Sequence, residues 1–255
     1  MEGGRSVSNN SEAPRSRRGN QTAQVDTYWS GLTPSATVAY PIEFFAVGGG
    51  GGGGAGFNNG STASQGGTGG GGGGSQTAVL SRIAGTYTIT VGAAGTAGNY
   101  PSPPGGNGGT GSVVDPANNT VCNAPGGSGG LSNQNPAVNG AGGVGTTWTG
   151  GSGAGGGSGG IGGTTNSWTG TAVLYSRGGS DGNQPAPSGN EGYGGSAGSG
   201  NPSPGTIAAP GSTFLRIPSN FATKVLSTTG SPTTFSANGY SYWKWTTSGT
   251  VTLLP

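Results

Sequence analysis

The pattern Gly-Gly-Ser-Gly-Gly occurs at 126–130 and again at 156–160, which matches the spacing of a nucleophile elbow, G-x-S-x-G. A serine hydroxyl needs a base to become a nucleophile. The chain has no histidine, so imidazole base chemistry and imidazole metal ligation are both absent. The acids beyond the first two, Asp26, Glu43, Asp115, Asp181 and Glu191, are scattered along the chain. None is spaced from another as a carboxylate pair or a calcium loop requires. Asp181, in "SDGN", reads as a turn residue. A single cysteine, Cys122, excludes an intramolecular disulfide and reads as a small inert apolar residue. Matches to G-x-G-x-x-G follow from glycine abundance, and the phosphate-loop ending Gly-Lys-Ser/Thr does not occur. The expectation is a protein that is not an enzyme and holds no cofactor or metal.

Two other groups of residues suit binding. Residues 1–26 form a polar stretch with four arginines, Arg5, Arg15, Arg17 and Arg18, and three acids, Glu2, Glu12 and Asp26. Phosphate binders carry a strong basic excess, so nucleic acid is not the expected partner. A segment this polar is ordered by a partner surface or not at all, and it reads as a docking arm. Trp148 in "GTTWTGG" and Trp168 in "NSWTGT" stand in similar polar settings, as do Tyr100 in "NYPSPP" and Tyr193 in "EGYGG". Exposed on a rigid scaffold, such rings anchor sugars or proteins. Packed down, they shield the edges of a glycine-rich body. Both readings stay open.

What could position these residues is constrained by composition. Among 255 residues there are 63 Gly and 17 Pro, while only 6% are charged. High glycine and proline content suggests disorder, but disordered chains are usually held open by charge. Apolar side chains are too few for an ordinary core, so backbone hydrogen bonding must carry more of the fold than usual. No apolar run approaches the roughly 18 residues of a membrane span. The N-terminus lacks the basic-then-apolar order of a secretory signal.

Strand patterns occupy both ends of the glycine-dense region. In "PIEFFAV", both faces are mostly apolar, which predicts burial on both sides. In "GTYTITVG", Tyr87, Ile89 and Val91 alternate with Thr86, Thr88 and Thr90, the pattern of a half-buried strand. "QTAVLSRI" before it is a candidate hairpin partner. Near the C-terminus, Tyr240, Tyr242, Trp243 and Trp245 precede "TSGT" and then Val251, Leu253 and Leu254, which predicts a second hairpin. Trp243 and Trp245 share a face and read as core or subunit interface. No 3.6-residue apolar period persists, so no α-helix is expected. The resulting division is 1–26 arm, 27–94 strands with the first glycine runs, 95–212 glycine-rich bundle with loops, and 213–255 C-terminal β region.

Seven glycines, Gly48 to Gly54, directly follow the first strand. The collagen repeat is violated at once by "GFNNGSTASQGG". Flexible linkers rarely carry Trp and Val islands. Extended helices with three residues per turn point their N–H and C=O groups sideways. Built from glycine, they can approach closely and bond to one another. Lateral bonds return about 0.5–1.5 kcal/mol each, against about 1–2 kcal/mol per ordered residue, so such a bundle needs strands as anchors.

Three stretches in order, "IEFFAVGGGGGGG", "GTYTITVGAAG" and "GGNGGTGS", resemble the glycine-rich domain of bacteriophage tail fibres and tail-tip adhesins. The C-terminal "GYSYWKWTTSGTVTL" resembles the aromatic–turn–SGT strand of that family, which in relatives comes before the glycine-run strand. The resemblance covers residues 38–255. It implies small β-sheet elements framing a bundle of packed polyglycine II helices. It also implies a virion surface protein that contacts a host glycan or protein receptor through loops at one end. The N-terminal arm would then meet another virion protein, and homo-oligomerisation is left open. The alternatives are a structural capsid-decorating or head-fibre protein and, more remotely, an ice-binding protein. The irregular spacing and the tryptophans argue against ice binding.

Overall fold

A strand that is apolar on both faces must lie between two cores, and Pro41–Val47 (β1) does. In the computed structural model the described residues are 40–56, 67–81, 83–99, 104–131, 149–150, 152, 162–179, 192–198 and 203–255. They belong to one unit, 39–255; a second unit, 1–38, lies outside them. The architecture is β, and the one helical element among the described residues is a 3-10 turn at Ser219–Lys224.

The strands after β1 are β2 (Ser75–Ser81), β3 (Gly85–Thr90), β4 (Gly111–Val114), β5 (Thr120–Ala124), β6 (Thr164–Asn166) and β7 (Val173–Tyr175). They are followed by β8 (Ser212–Pro218), β9 (Val225–Thr228), β10 (Thr233–Ala237), β11 (Tyr240–Trp245) and β12 (Gly249–Leu253). One five-stranded sheet has the order β10-β11-β8-β1-β2, a second has β5-β4-β3-β12-β9, and β6 pairs with β7. All pairs are antiparallel.

The larger core lies between the two sheets. Ile42, Phe44, Leu215, Ile217 and Trp245 from the first sheet pack with Tyr87, Ile89, Val113, Val251 and Leu253 from the second. Burying each of these large side chains contributes about 1.5–3 kcal/mol. The alternate residues of β1, Phe45 and Val47, join Phe214 and Tyr175 in a smaller cluster on the other face. There Phe45 meets the edge of Tyr175 at 5.1 Å. In β3, Tyr87 and Ile89 are buried while Thr86, Thr88 and Thr90 are exposed, as the alternation predicts.

Both predicted hairpins are corrected. β2 pairs with β1 and not with β3, and β2 and β3 lie in different sheets. β11 and β12 do not pair either. β12 lies between β3 and β9, and 246–248 is a corner between sheets. The reason is burial: Trp245 and Val251 face each other across the core and not side by side in one sheet. Trp245 Nε1 donates to the Thr229 carbonyl at 2.8 Å, which secures the corner. The hairpin in this region is β10–β11. Its turn, Asn238-Gly239, has φ of 51° and 79°, the backbone that an Asn-Gly turn favours.

The β4–β5 loop carries a titratable support. Asp115 Oδ1 accepts from the Asn119 amide at 2.7 Å and the Ala117 amide at 3.0 Å. Asn119 Nδ2 donates to Oδ2 at 3.1 Å. The Asn119 backbone N–H is the main cause that holds the Asp115 carboxyl below its ordinary value, helped by the Asn119 side chain and the Ala117 amide and opposed by burial. A depressed carboxyl stabilises the fold above its unfolded pKa, and that contribution disappears as pH falls through the folded value. Asp115→Asn should therefore lower the melting midpoint at neutral pH, with the difference closing as pH drops below the carboxyl range. A thermal melt series across pH checks this, and an unchanged gap in acid would contradict it.

Candidate functional site: the glycine segments and their far end

The strands continue into glycine segments without a slip of register. Val47 pairs with Ser75 at the end of β1–β2, and Gly48, Gly51 and Gly54 then donate to Gly74, Gly71 and Thr68 at 2.8–2.9 Å. Glu43 pairs with Arg216 in β1–β8, and Gly50, Gly53 and Gly56 donate to Ala209, Thr206 and Ser203. In the second sheet β3–β4 runs on into Gly109→Ala93 and Gly106→Thr96, and β4–β5 into Gly108→Gly127 and Gly105→Gly130. Sheets with side chains between them sit about 10 Å apart. Where the side chains end, the two layers can close onto each other, and bonds form between them.

Segment 48–56 lies at the centre and is wholly buried. A buried amide without a partner is costly, and here partners come from six neighbours in steps of three residues. Besides the two series above, Gly49 and Gly52 donate to Gly109 and Gly106. Its carbonyls accept from three further segments: Gly50 and Gly53 from Gly95 and Gly98, Gly49 and Gly52 from Gly127 and Gly130, Gly51 and Gly54 from Gly195 and Gly198. The centre thus donates to three antiparallel segments, 67–74, 104–110 and 203–211. It accepts from three parallel ones, 92–99, 125–131 and 192–198.

The six neighbours also bond to one another in a closed ring. In order around the centre, the bonds are Gly71 to Ser128, Gly108 to Gly127, Gly106 to Thr96, Ala208 to Gly95, Thr206 to Ser196 and Gly70 to Gly195, at 2.8–3.1 Å. Side chains cannot enter this arrangement. A Cβ added at Gly49 would land on the Ala93 carbonyl, at Gly50 on that of Tyr193, and at Gly51 on that of Ser128. With hydrogen in that place, each site becomes a Cα–H···O contact instead. Outward positions do bear side chains, again every third residue: Ala93, Thr96 and Asn99 on one segment, Pro104, Asn107 and Thr110 on the next, all exposed.

Because parallel and antiparallel segments alternate, their ends sort. The strands stand at one end. At the other, Gly56 bonds to Ser203, Gly67 to Gly198, Thr68 to Leu131 and Gly205 to Gly98. The connections 57–66, 100–103 and 199–202, and the stretch 132–148 after Leu131, all start from this end. The sequence candidates Tyr100 and Trp148 lie outside the described residues, as do Arg5, Arg15, Arg17 and Arg18. Tyr100 falls in the connection 100–103, while Trp148 closely precedes Gly150, which packs beside Gly72 toward the strand end.

Trp168 and Tyr193 are described, half-buried and engaged. The Arg216 guanidinium lies 4.0 Å from the Trp168 ring centre and 4.6 Å from that of Tyr240. Trp168 also packs on Phe45 at 5.8 Å, and its carbonyl accepts from the Tyr242 hydroxyl. Tyr193 donates its hydroxyl to the Leu174 carbonyl at 2.9 Å. Both rings hold 162–179 against the body. Arg216 also donates to Glu43 at 2.7 Å. Burial works against its charge, but the side-chain bonds to Glu43 and to the Tyr242 hydroxyl leave its pKa raised. This Arg216 sandwich was not foreseen, since nothing local in "LRIPS" signals it. Cys122 is buried and donates to the Gln76 carbonyl at 3.2 Å, and burial pushes its thiol to about 12. The described residues contain no cluster of three potential metal ligands and no helix long and apolar enough to cross a membrane.

Gly52→Ala should lower stability by about 3 kcal/mol or more, because the added methyl displaces the Thr96 carbonyl in a backbone that cannot repack. Ser128→Ala, on the exposed side, should stay within about 0.5 kcal/mol of the parent. Denaturant unfolding of both variants checks the contrast.

A search of curated proteins finds no match. The family model described as a glycine-rich domain matches residues 30–214. That span starts ahead of β1 and takes in every glycine segment named above, and on that ground the chain belongs to the glycine-rich domain family.

Proposed function

We propose that the glycine segments are polyglycine II helices, packed as a rigid stalk whose far-end connections form an attachment surface, and that the protein is a non-enzymatic, tail-fibre-like adhesin at a virion surface. The observation that carries this reading is the sorting of ends: a β-sandwich closes one end, and four stretches of variable length emerge together at the other. The three-residue hydrogen-bond step and the six neighbours of segment 48–56 support the helix assignment, because three residues per turn is the period of that helix. The strand–glycine junctions that resemble phage tail-tip proteins support the biological setting. A stiff base lowers the entropy lost when loops engage a receptor. The arm, 1–26, would dock the protein to another virion component.

A second reading, ice binding, gains from the regular spacing of Ala93, Thr96 and Asn99 beside Pro104, Asn107 and Thr110. An ice-growth assay on the purified protein separates the two.

For the adhesin reading, binding of labelled protein to a panel of bacterial strains is the direct measurement. Tyr100→Ala should weaken it about ten-fold, and replacing 132–146 with an unrelated segment of equal length should abolish or redirect it. The melting midpoint should not move in either case. Undiminished binding after all four connections are replaced would refute the reading. Removing 1–26 should leave a folded protein that is not incorporated into particles.

A further inference from the structure

The closed ring of six segments raises the question of why hydrogen bonding stops there. A ring segment has six sides, and only three of them face the centre and its two ring neighbours. The remaining sides carry amides and carbonyls outward, in the same three-residue step. Such an edge invites a further segment, as an unpaired strand edge does in a sheet.

The ring segments differ at these outward positions, and the differences follow a rule. In 67–74, Gly67, Gly70 and Gly73 donate to one neighbour, and Thr68, Gly71 and Gly74 to the other. The outward residues are therefore Gly69 and Gly72. Here packing continues: a Cβ at Gly72 would strike the Ser176 carbonyl, one at Gly150 would strike that of Gly72, and Gly179 donates to Gly70 at 2.8 Å.

In 203–211, Gly205, Ala208 and Gly211 donate to segment 92–99, and Thr206 and Ala209 to segment 192–198. The outward residues are Pro204, Ile207 and Pro210. In 104–110, Gly105 and Gly108 donate one way and Gly106 and Gly109 the other, which leaves Pro104, Asn107 and Thr110. No further segment lies on either of these among the described residues. Proline has no N–H to offer, and three of these six outward positions are proline. Asn107 turns its side chain onto a neighbour's edge, where Oδ1 accepts from the Gly129 amide at 2.8 Å.

We infer that the prolines and side chains at every third residue of 104–110 and 203–211 terminate the glycine packing and keep two copies of this chain from joining along that side. Glycine at an outward position extends the packing, and proline or a capping side chain stops it. The inference stands on the hydrogen-bond pattern and does not depend on what the far end binds.

The test is gain of association. The unchanged protein and the variant Pro204→Gly/Ile207→Gly/Pro210→Gly are compared by light scattering coupled to size exclusion over a concentration series. The variant should form concentration-dependent oligomers that the parent does not form at the same concentrations. The variant Pro204→Ala/Pro210→Ala restores both amides but keeps a methyl group at each site. It should associate less than the glycine variant. Asn107→Gly/Thr110→Gly applies the same comparison to the other segment if the first variant does not fold. Amide exchange on the unchanged protein adds a reading that needs no variant. The Ile207 amide should exchange at least ten-fold faster than those of Ala208 and Ala209. Folded glycine variants that behave as the parent at every concentration, or an Ile207 amide as protected as its neighbours, would overturn the inference.

Discussion

Lateral hydrogen bonding between backbones stripped of side chains is the interaction on which this protein depends. Segment 48–56 has no apolar side chain larger than that of Ala55, yet it is entirely buried. Only neighbours on all sides can satisfy amides in such a place, and glycine is what allows six backbones to come that near. Each bond is a weak one, about 1 kcal/mol net. The arrangement holds because the two sheets set the registers before the glycine begins. A pairing such as Val47 with Ser75 fixes the next, Gly48 with Gly74, at little additional cost in disorder. The apolar clusters around Phe44 and Phe45 thus set the register of a region that lies beyond them.

The parts of this arrangement governed by side-chain alternation could be read from the sequence. The two-faced character of "PIEFFAV" put Ile42 and Phe44 in one core and Phe45 in another. The threonine row of β3 lies in the open, as its alternation implied. Among the described residues the β character, with no α-helix, fits the glycine content and the lack of a 3.6-residue period. Strand partnership was not accessible in the same way. "QTAVLSRI" sits next to "GTYTITVG" in the chain, but its partner is set by the return of 67–74 along 48–56, a non-local event. The C-terminal aromatics misled for a related reason. Tyr240 to Trp245 and Gly249 to Leu253 look like hairpin arms, yet Trp245 and Val251 belong to opposite walls of one core.

The every-third placing of side chains was in the sequence throughout, in "PGGNGGT" and "PGGSGGL". Read linearly, it was hidden by segments such as 48–54 that carry none. It becomes visible only once a segment's place is known, because central and edge segments obey different rules. Local composition alone does not show that Trp168 would pack down: a strand face, that of Phe45 and Arg216, stands opposite it, while Tyr193 is held by its hydroxyl bond to Leu174.

The register that passes from strand to glycine has a consequence for how such a molecule can change in length. The bonds of segment 48–56 recur every three residues, and each of the six neighbours is locked to the same phase. Losing or gaining one residue in any segment would rotate all that follows and point its amides at the wrong neighbours. The glycine region can therefore lengthen or shorten only three residues at a time and in all seven segments together. Its connections are under no such arithmetic and can vary freely in number.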